Sequence, residues 1–185
     1  MEKDYTNLTD VELYSLLRDV KEKAERAFAE LYNRYSPRIY NYCRRFLNDK
    51  DEAQDVYQET FIRFYQSAEK EKEMSNIPAF LIKIARNLCV NKKKRNKQNI
   101  SLENIAELQE ENRDEKDELM NLINISMELL PTDYKEAFLL REYEGMTYAE
   151  IAEITNISVS TVKIRIYRAK QKLRSILSPY MSEVN

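Results

Sequence analysis

The chain has 185 residues, and its 30 Lys and Arg nearly balance its 32 Asp and Glu, which leaves a formal net charge of −2. It contains no His and one Gly, which excludes His-based catalysis, His metal ligands and the Gly-rich loops that bind phosphates or dinucleotides. Two Cys are too few for a cysteine zinc cage. Little Gly and Pro beside much Glu, Lys and Leu favours an all-helical protein that needs no metal and no cofactor.

The apolar residues are scattered along the chain rather than gathered in one run. No uninterrupted apolar stretch exceeds four residues, whereas a membrane span needs roughly 20 and a signal peptide at least about 7. We therefore expect a cytoplasmic protein with no membrane insertion. We also expect both Cys to be reduced and to fill the core.

Four candidate helix starts have the spacing of a capping box, in which a Thr or Asp precedes a Glu by three residues. They are Thr9–Glu12, Asp49–Glu52, Asp133–Glu136 and Thr147–Glu150. The apolar period also predicts a helix over 24–47, which we expect Pro37 to bend or interrupt.

The next predicted helix, over 51–65, has two different faces. The inward stripe comprises Ala53, Val56, Tyr57, Thr60, Phe61 and Phe64. The opposite side exposes Asp55, Gln58 and Glu59. DNA phosphates would repel this acidic face. It either binds a basic protein partner or serves only the solubility of the helix. The polar stretch over 67–76 is predicted to be a loop.

A helix over 77–95 carries the first basic patch, with six basic residues and no acid between 86 and 97. The residues predicted to face inward are Ile77, Leu81, Ile84, Ala85 and Leu88. The outward stripe consists of Lys83, Arg86, Asn87, Val90 and Lys94. Basic patches bind polyanions, and an Asn among them can read a base edge, although an isolated charge run is usually a solvated face.

An acidic segment follows this patch. Residues 103–118 hold eight acids against two basic residues, and 97–117 has few large apolar residues, with room for a short helix at 102–108. We interpret 97–117 as a linker. It separates an N-terminal helical domain, 1–96, from a C-terminal one, 118–185.

The C-terminal domain has the pattern of a helix-turn-helix. A helix over 133–143 is predicted to stop near Gly145, because Gly tolerates the left-handed backbone of a helix end. Thr147 then begins a short helix, residues 156–158 form a turn, and a further helix starts near Ser158.

The last helix carries the second basic patch, with an unusual outward face. On a helical wheel, Val162, Ile166, Ala169 and Leu173 share the inward side. The opposite side carries Ser160, Ile164, Tyr167, Arg168 and Gln171, and the flanks carry Lys163, Arg165, Lys170 and Lys172. An outward Ile and Tyr among basic residues fit a DNA major groove, where a thymine methyl offers apolar contact and guanine accepts from Arg. The flanking basic residues would hold phosphates.

Three segments together resemble one protein family. They are DEAQDVYQETFIRFY over 51–65, PAFLIKIARNLCVNKKKR over 78–95 and LLPTDYKEAFLLREYEGMTYAEIAEITNISVSTVKIRIYRAKQKL over 129–173. In this order, with a linker before the third, they resemble the extracytoplasmic-function (ECF) group of bacterial sigma-70-type RNA polymerase sigma factors. The resemblance implies a two-domain protein, not an enzyme, that binds core RNA polymerase and directs it to particular promoter DNA.

The resemblance also implies roles for individual residues. The polymerase's clamp helices would contact Asp55, Gln58 and Glu59. Arg86 and Asn87 match the start of the family's −10 helix, and we expect Lys83 and Lys94, on the same outward stripe, to join this contact. The −35 recognition positions of the family match Lys163, Ile164, Tyr167 and Arg168, and we expect Ser160, Arg165 and Gln171, on the outward side and flank of the same helix, to join them. In relatives the loop matching 67–76 captures a flipped base, and an anti-sigma factor is a common further partner.

Two positions depart from the family pattern. Relatives often carry Trp at the position of Phe80, and Phe keeps an aromatic side chain there. Ile164 replaces a small polar residue that some relatives carry, and this change alters the expected −35 sequence preference. Two alternatives remain open: a dimeric helix-turn-helix regulator, which would leave the 83–94 stripe unexplained, and a helical polymerase adaptor without promoter specificity. An enzyme has little support without His, a Gly-rich loop or a metal-ligand cluster.

Overall fold

The computed structural model describes residues 4–71, 74–99 and 115–181, and within these ranges it contains eight α-helices and no strand. The helices are α1 (Asp10–Leu16), α2 (Lys21–Leu47), α3 (Lys50–Lys70), α4 (Ile77–Asn99), α5 (Glu115–Glu128), α6 (Thr132–Phe138), α7 (Tyr148–Thr155) and α8 (Val159–Met181). A 3-10 turn, Tyr5–Asn7, precedes α1, and a π-helical turn, Leu139–Tyr143, follows α6. The predicted all-α class is confirmed.

Contacts divide the chain into two compact units, Met1–Gln98 and Asn99–Asn185. Helix α4 extends into the segment predicted as a linker, 97–117, from one side and α5 from the other. The predicted short helix at 102–108 lies outside the described residues, so it stays a prediction.

The first unit is built around aromatic side chains contributed by α1, α2 and α3. All six residues of the predicted inward stripe of α3 are buried. The Phe61 ring lies 4.8 Å from that of Tyr32 on α2, and the Phe64 ring lies 5.6 Å from that of Tyr14 on α1. Burying such large rings gives a small domain much of its hydrophobic stabilisation.

Helix α2 continues through Pro37. Of the two outcomes expected at this residue, a bend or an interruption, the interruption does not occur. A proline inside a helix removes one backbone hydrogen bond and costs roughly 3 kcal/mol. Residues on both sides of it are fully buried, among them Leu31 before it and Ile39 after it. Tertiary burial therefore outweighs the local cost. The residue that follows the helix, Asn48, adopts the left-handed conformation with a φ of 58°. After Gly, Asn is the residue that most often takes this conformation at a helix end.

The predicted loop at 67–76 begins later than expected, because α3 continues to Lys70. Ala68 is buried in the core, and the Arg18 guanidinium donates to the carbonyl of Glu71 at 3.1 Å. These contacts extend the helix by satisfying a carbonyl at its end. A flipped-base pocket in this loop stays a prediction.

The buried stripe of α4 differs in part from the predicted one. Ile77, Leu81 and Ala85 are buried as expected, together with Ile82 and Cys89. The predicted inward residues Ile84 and Leu88, and the predicted outward residue Val90, are all partly exposed. Apolar residues occupy neighbouring angles on this helix, so periodicity alone does not decide which of them face the core.

The predicted helix starts are confirmed at three of four sites, because Thr9, Asp49 and Thr147 are the N-cap residues of α1, α3 and α7. Complete capping boxes form at Thr9–Glu12 and Thr147–Glu150, whereas Asp49 accepts only the backbone N–H of Glu52. The predicted box at Asp133–Glu136 is wrong. Helix α6 starts at Thr132 after an N-cap at Pro131, which supplies no capping side chain, so Asp133 lies inside the helix.

The second unit contains the predicted helix-turn-helix. Gly145 has a φ of 69° and ends the preceding turn as expected. Helices α7 and α8 are joined through Asn156, also left-handed, and the Ser158 hydroxyl accepts from the backbone N–H of Thr161 at 3.2 Å. The predicted inward residues Val162, Ile166, Ala169 and Leu173 are all buried. None of the described helices is both long enough and apolar enough to cross a membrane.

Replacing Thr147 by Ala is expected to lower the free energy of unfolding of the second unit by about 1 kcal/mol, because it removes the capping hydroxyl of α7. The backbone N–H and the hydroxyl of Thr147 hold the pKa of Glu150 below its ordinary value of 4.5. Their contribution is thus present at neutral pH and is lost as the pH falls through the lowered pKa of Glu150, so the effect of the substitution shrinks on acidification. Urea unfolding followed by circular dichroism measures it. Thr147→Ser, which retains the hydroxyl, is the control, and an equal loss in that variant would contradict the capping role.

Candidate nucleic-acid and protein-binding faces

The outward side of α8 is open to solvent. We call Ser160, Ile164, Tyr167, Arg168 and Gln171 the α8 groove face; all five are exposed. Ile164 is 50% and Tyr167 is 64% exposed, so neither serves the hydrophobic core. Large apolar side chains left in solvent beside basic residues are typical of a binding surface rather than of an ordinary solvated helix.

Contacts within α8 and with the preceding helices organise this face. The Arg168 guanidinium donates to the Tyr134 hydroxyl at 3.0 Å, and the Gln171 amide donates to the Tyr167 hydroxyl at 3.1 Å. The Lys163 ammonium lies 5.7 Å from the centre of the Tyr148 ring, within cation–π range.

Two of the flanking basic residues make ion pairs with acids that precede α7. Arg165 lies 3.3 Å from Asp133, and its side chain is only 23% exposed. Lys170 lies 2.8 Å from Glu142 and is about half exposed. Arg165 therefore braces α8 against α6, and its predicted contact with DNA would have to compete with this pair.

On α4, three of the four predicted DNA-binding residues, Lys83, Asn87 and Lys94, are exposed. The fourth, Arg86, is partly exposed and donates to the Asn87 amide oxygen at 3.0 Å. A cationic guanidinium beside a carboxamide can contact both a phosphate and a base edge. Phe80 packs near Phe64, with ring centres 6.3 Å apart.

The predicted protein-binding residues on α3 are also accessible. Asp55 is 73% exposed and lies 3.6 Å from Lys92, whereas Glu59 is 42% exposed and pairs with Arg63 at 2.7 Å. Gln58 is exposed. The three side chains share one side of α3 because their spacing follows the helical turn.

An apolar groove of about 610 Å³, which was not predicted from the sequence, adjoins Gln58. Its aromatic and aliphatic lining comes from α2 and α3: Phe28, Tyr32, Tyr57, Phe61, Ile62 and Tyr65. Burial and a hydrogen bond with Tyr32 raise the pKa of Tyr57 to about 12, so this phenol is uncharged near neutral pH. The groove thus offers apolar contact beside a charged and polar rim, as protein interfaces do.

Across the described ranges, no group of three or more Cys, Asp or Glu side chains is placed to hold a metal ion.

Two family models match the chain. The model of sigma-70 region 2 matches residues 31–99, and that of sigma-70 region 4 matches residues 126–173. The ECF RNA polymerase sigma factor SigW of Bacillus subtilis is 30% identical, over 87% of this chain and 94% of its own. The ECF RNA polymerase sigma-E factor of Haemophilus influenzae is 30% identical, over 90% of this chain and 96% of its own. The chain belongs to the ECF group of the sigma-70 family.

The family resemblance predicted from the sequence is therefore confirmed. This protein is an alternative sigma factor that directs promoter-specific transcription by RNA polymerase. The region 2 match contains α3 and α4, and the region 4 match contains α6, α7 and the first two-thirds of α8. The predicted binding residues on α3, α4 and α8 of the sigma factor thus lie inside recognised regions.

A solved structure supports the helical fold of the sigma factor. CnrH, in its complex with the cytosolic domain of CnrY, aligns with a TM-score of 0.70 at 22% identity and covers 92% of this chain and 97% of CnrH.

Proposed function

We propose that the two units of this sigma factor divide promoter recognition between them. The outward stripe of α4 contacts the −10 element, and the α8 groove face contacts the −35 element. The observation that carries this proposal is the exposure of Ile164 and Tyr167 among basic side chains on α8. A face used only for solubility would gain nothing from apolar groups in water.

On α8, the chemistry fits readout in a major groove. Arg168 can donate to a guanine edge, and Ile164 can contact a thymine methyl. Ser160, Tyr167 and Gln171 add hydroxyl and amide groups, and Lys163 on the flank suits a phosphate. We assign Arg165 the smallest contribution to DNA binding by α8, because it already pairs with Asp133.

On α4, Arg86 and Asn87 form the centre of the proposed −10 contact. Lys83 and Lys94 lie on the same side and supply positive charge for the backbone phosphates. Phe80, partly exposed near the start of α4, is suited to stacking against an unpaired base.

The acidic and amide residues of α3, together with the adjoining groove, form the proposed docking site for core polymerase. Asp55 and Glu59 would attract a basic helix of the clamp, and the groove would accept its apolar side chains. The polymerase carries the catalytic centre, so the sigma factor itself is not an enzyme, and it acts in the cytoplasm alongside the polymerase.

Each DNA contact alone involves few phosphates and is expected to be weak. When both units are tethered to one polymerase, the second contact becomes intramolecular, which raises the effective affinity without new contacts. We also propose an anti-sigma factor as a regulatory partner, because the sigma factor RpoE of Bartonella quintana, which aligns with this chain at a TM-score of 0.65, forms a complex with the anti-sigma factor NepR.

Run-off transcription tests this function. Purified core polymerase on a genomic promoter library is expected to start at a defined set of promoters only when the sigma factor is added, and the two elements should emerge from alignment of those promoters. Unchanged start sites would refute the proposal and favour an adaptor. A dimer on gel filtration that binds an isolated palindrome without polymerase would favour a classical regulator instead.

A further inference from the structure

We propose that Tyr134 is a positioning residue for the −35 contact and that its hydroxyl holds Arg168 in the orientation that reads a base pair. This inference deepens the function proposed for α8 and rests on it. Tyr134 lies in the first turn of α6, 34 positions before Arg168, and it is not among the residues that were predicted from the sequence to contact DNA.

The first turn of α6 holds two arginines of α8 at once. Asp133 pairs with Arg165 at 3.3 Å, and the next residue, Tyr134, accepts from Arg168 at 3.0 Å. The two arginines are three positions apart and therefore lie one turn apart on the same side of α8. Two successive residues of α6 thus set the direction of two successive basic side chains.

The two partners differ in charge, and this difference assigns different roles to the arginines. Asp133 neutralises Arg165, whose side chain is largely covered. Tyr134 offers a hydroxyl rather than a carboxylate, so it orients Arg168 without forming an ion pair with it. Its hydrogen bond raises the pKa of Arg168 further above the usual value, and Arg168 remains exposed on the groove face.

The guanidinium geometry allows both contacts together. Arginine has five N–H donors in a planar fork, and guanine readout needs two of them. The bond to Tyr134 uses an N–H of one terminal nitrogen. A side chain held in this way has lost part of its rotational freedom before DNA binds, so less ordering remains to be done on binding.

The test measures base preference rather than affinity alone. Holoenzyme carrying Tyr134→Phe transcribes a promoter series in which each −35 base pair is changed singly. We expect its preference to fall by about three- to tenfold, the effect of one typical intramolecular hydrogen bond. The loss should be confined to the base pair at which Arg168→Ala relaxes preference. In the Arg168→Ala background, Tyr134→Phe should have no further effect.

Tyr180→Phe is the matched control, because Tyr180 is also exposed, at 52%, but lies near the end of α8; it should leave every preference unchanged. An even loss across all promoters with Tyr134→Phe would identify Tyr134 as a phosphate contact and overturn the inference. No change would also overturn it. If Arg168→Ala itself produced no position-specific change, the groove assignment of α8 would fail first, and the inference with it.

Discussion

Replacing Asp55 and Glu59 together by Lys is expected to abolish association with core RNA polymerase while the helical content of the sigma factor stays unchanged. Both carboxylates are exposed and take no part in the hydrophobic core. The new lysines would face a basic partner surface and would also lie beside Lys92 and Arg63. Close charge pairs at interfaces couple by several kcal/mol, so reversing two of them should weaken binding at least about 100-fold.

Co-purification and fluorescence titration with core enzyme measure this loss, and circular dichroism checks the fold. Glu22→Lys is the control, because Glu22 is exposed on α2 and pairs with Arg26 four residues on, as Glu59 pairs with Arg63. The control should bind core polymerase normally. Retention of core subunits by the double variant would refute the proposed docking role of α3.

Arg168→Ala and Lys170→Ala are expected to impair −35 binding in two different ways. Arg168 belongs to the α8 groove face, so its loss should reduce discrimination about 5- to 150-fold at one base pair and relax specificity there. Lys170 lies on the flank beside Glu142, so its loss should weaken binding evenly across sequences. It should also reduce the dependence of log affinity on log salt by about one unit.

The two variants are compared as holoenzymes on promoters that differ at single −35 positions, at several salt concentrations. Lys21→Ala is the control, because Lys21 is 88% exposed on α2, outside both proposed DNA faces, and it should behave as wild type. The same sequence-independent loss in both variants would show that α8 does not read bases with Arg168.

Helices with one clearly apolar side were predicted well. The inward residues of α3 and of α8 are all buried as expected, because a single stripe at the helical period leaves only one way to bury it. The left-handed conformation of Gly145 and the capping box at Thr147 were also predicted correctly, since both depend on residues within a few positions of each other.

Predictions failed where the local sequence favoured two arrangements almost equally, such as which of two adjacent apolar side chains is buried or at which residue a helix ends. Ile82 and Cys89 rather than Ile84 and Leu88 complete the buried stripe of α4, because the packing partners select among adjacent apolar angles. Likewise, α3 extends to Lys70, since the carbonyl of Ala68 in its last turn and that of Glu71 at its C-cap accept from Arg18, which is distant in the sequence.

Periodicity, capping spacing and family motifs were sufficient to identify an all-helical sigma factor and the candidate side chains on α3, α4 and α8, because these signals are local and repeat along single helices. The apolar groove between α2 and α3 and the bond from Arg168 to Tyr134 required the folded unit. Each joins side chains that lie 20 or more positions apart, and only the packing of one helix on another brings such residues within contact distance.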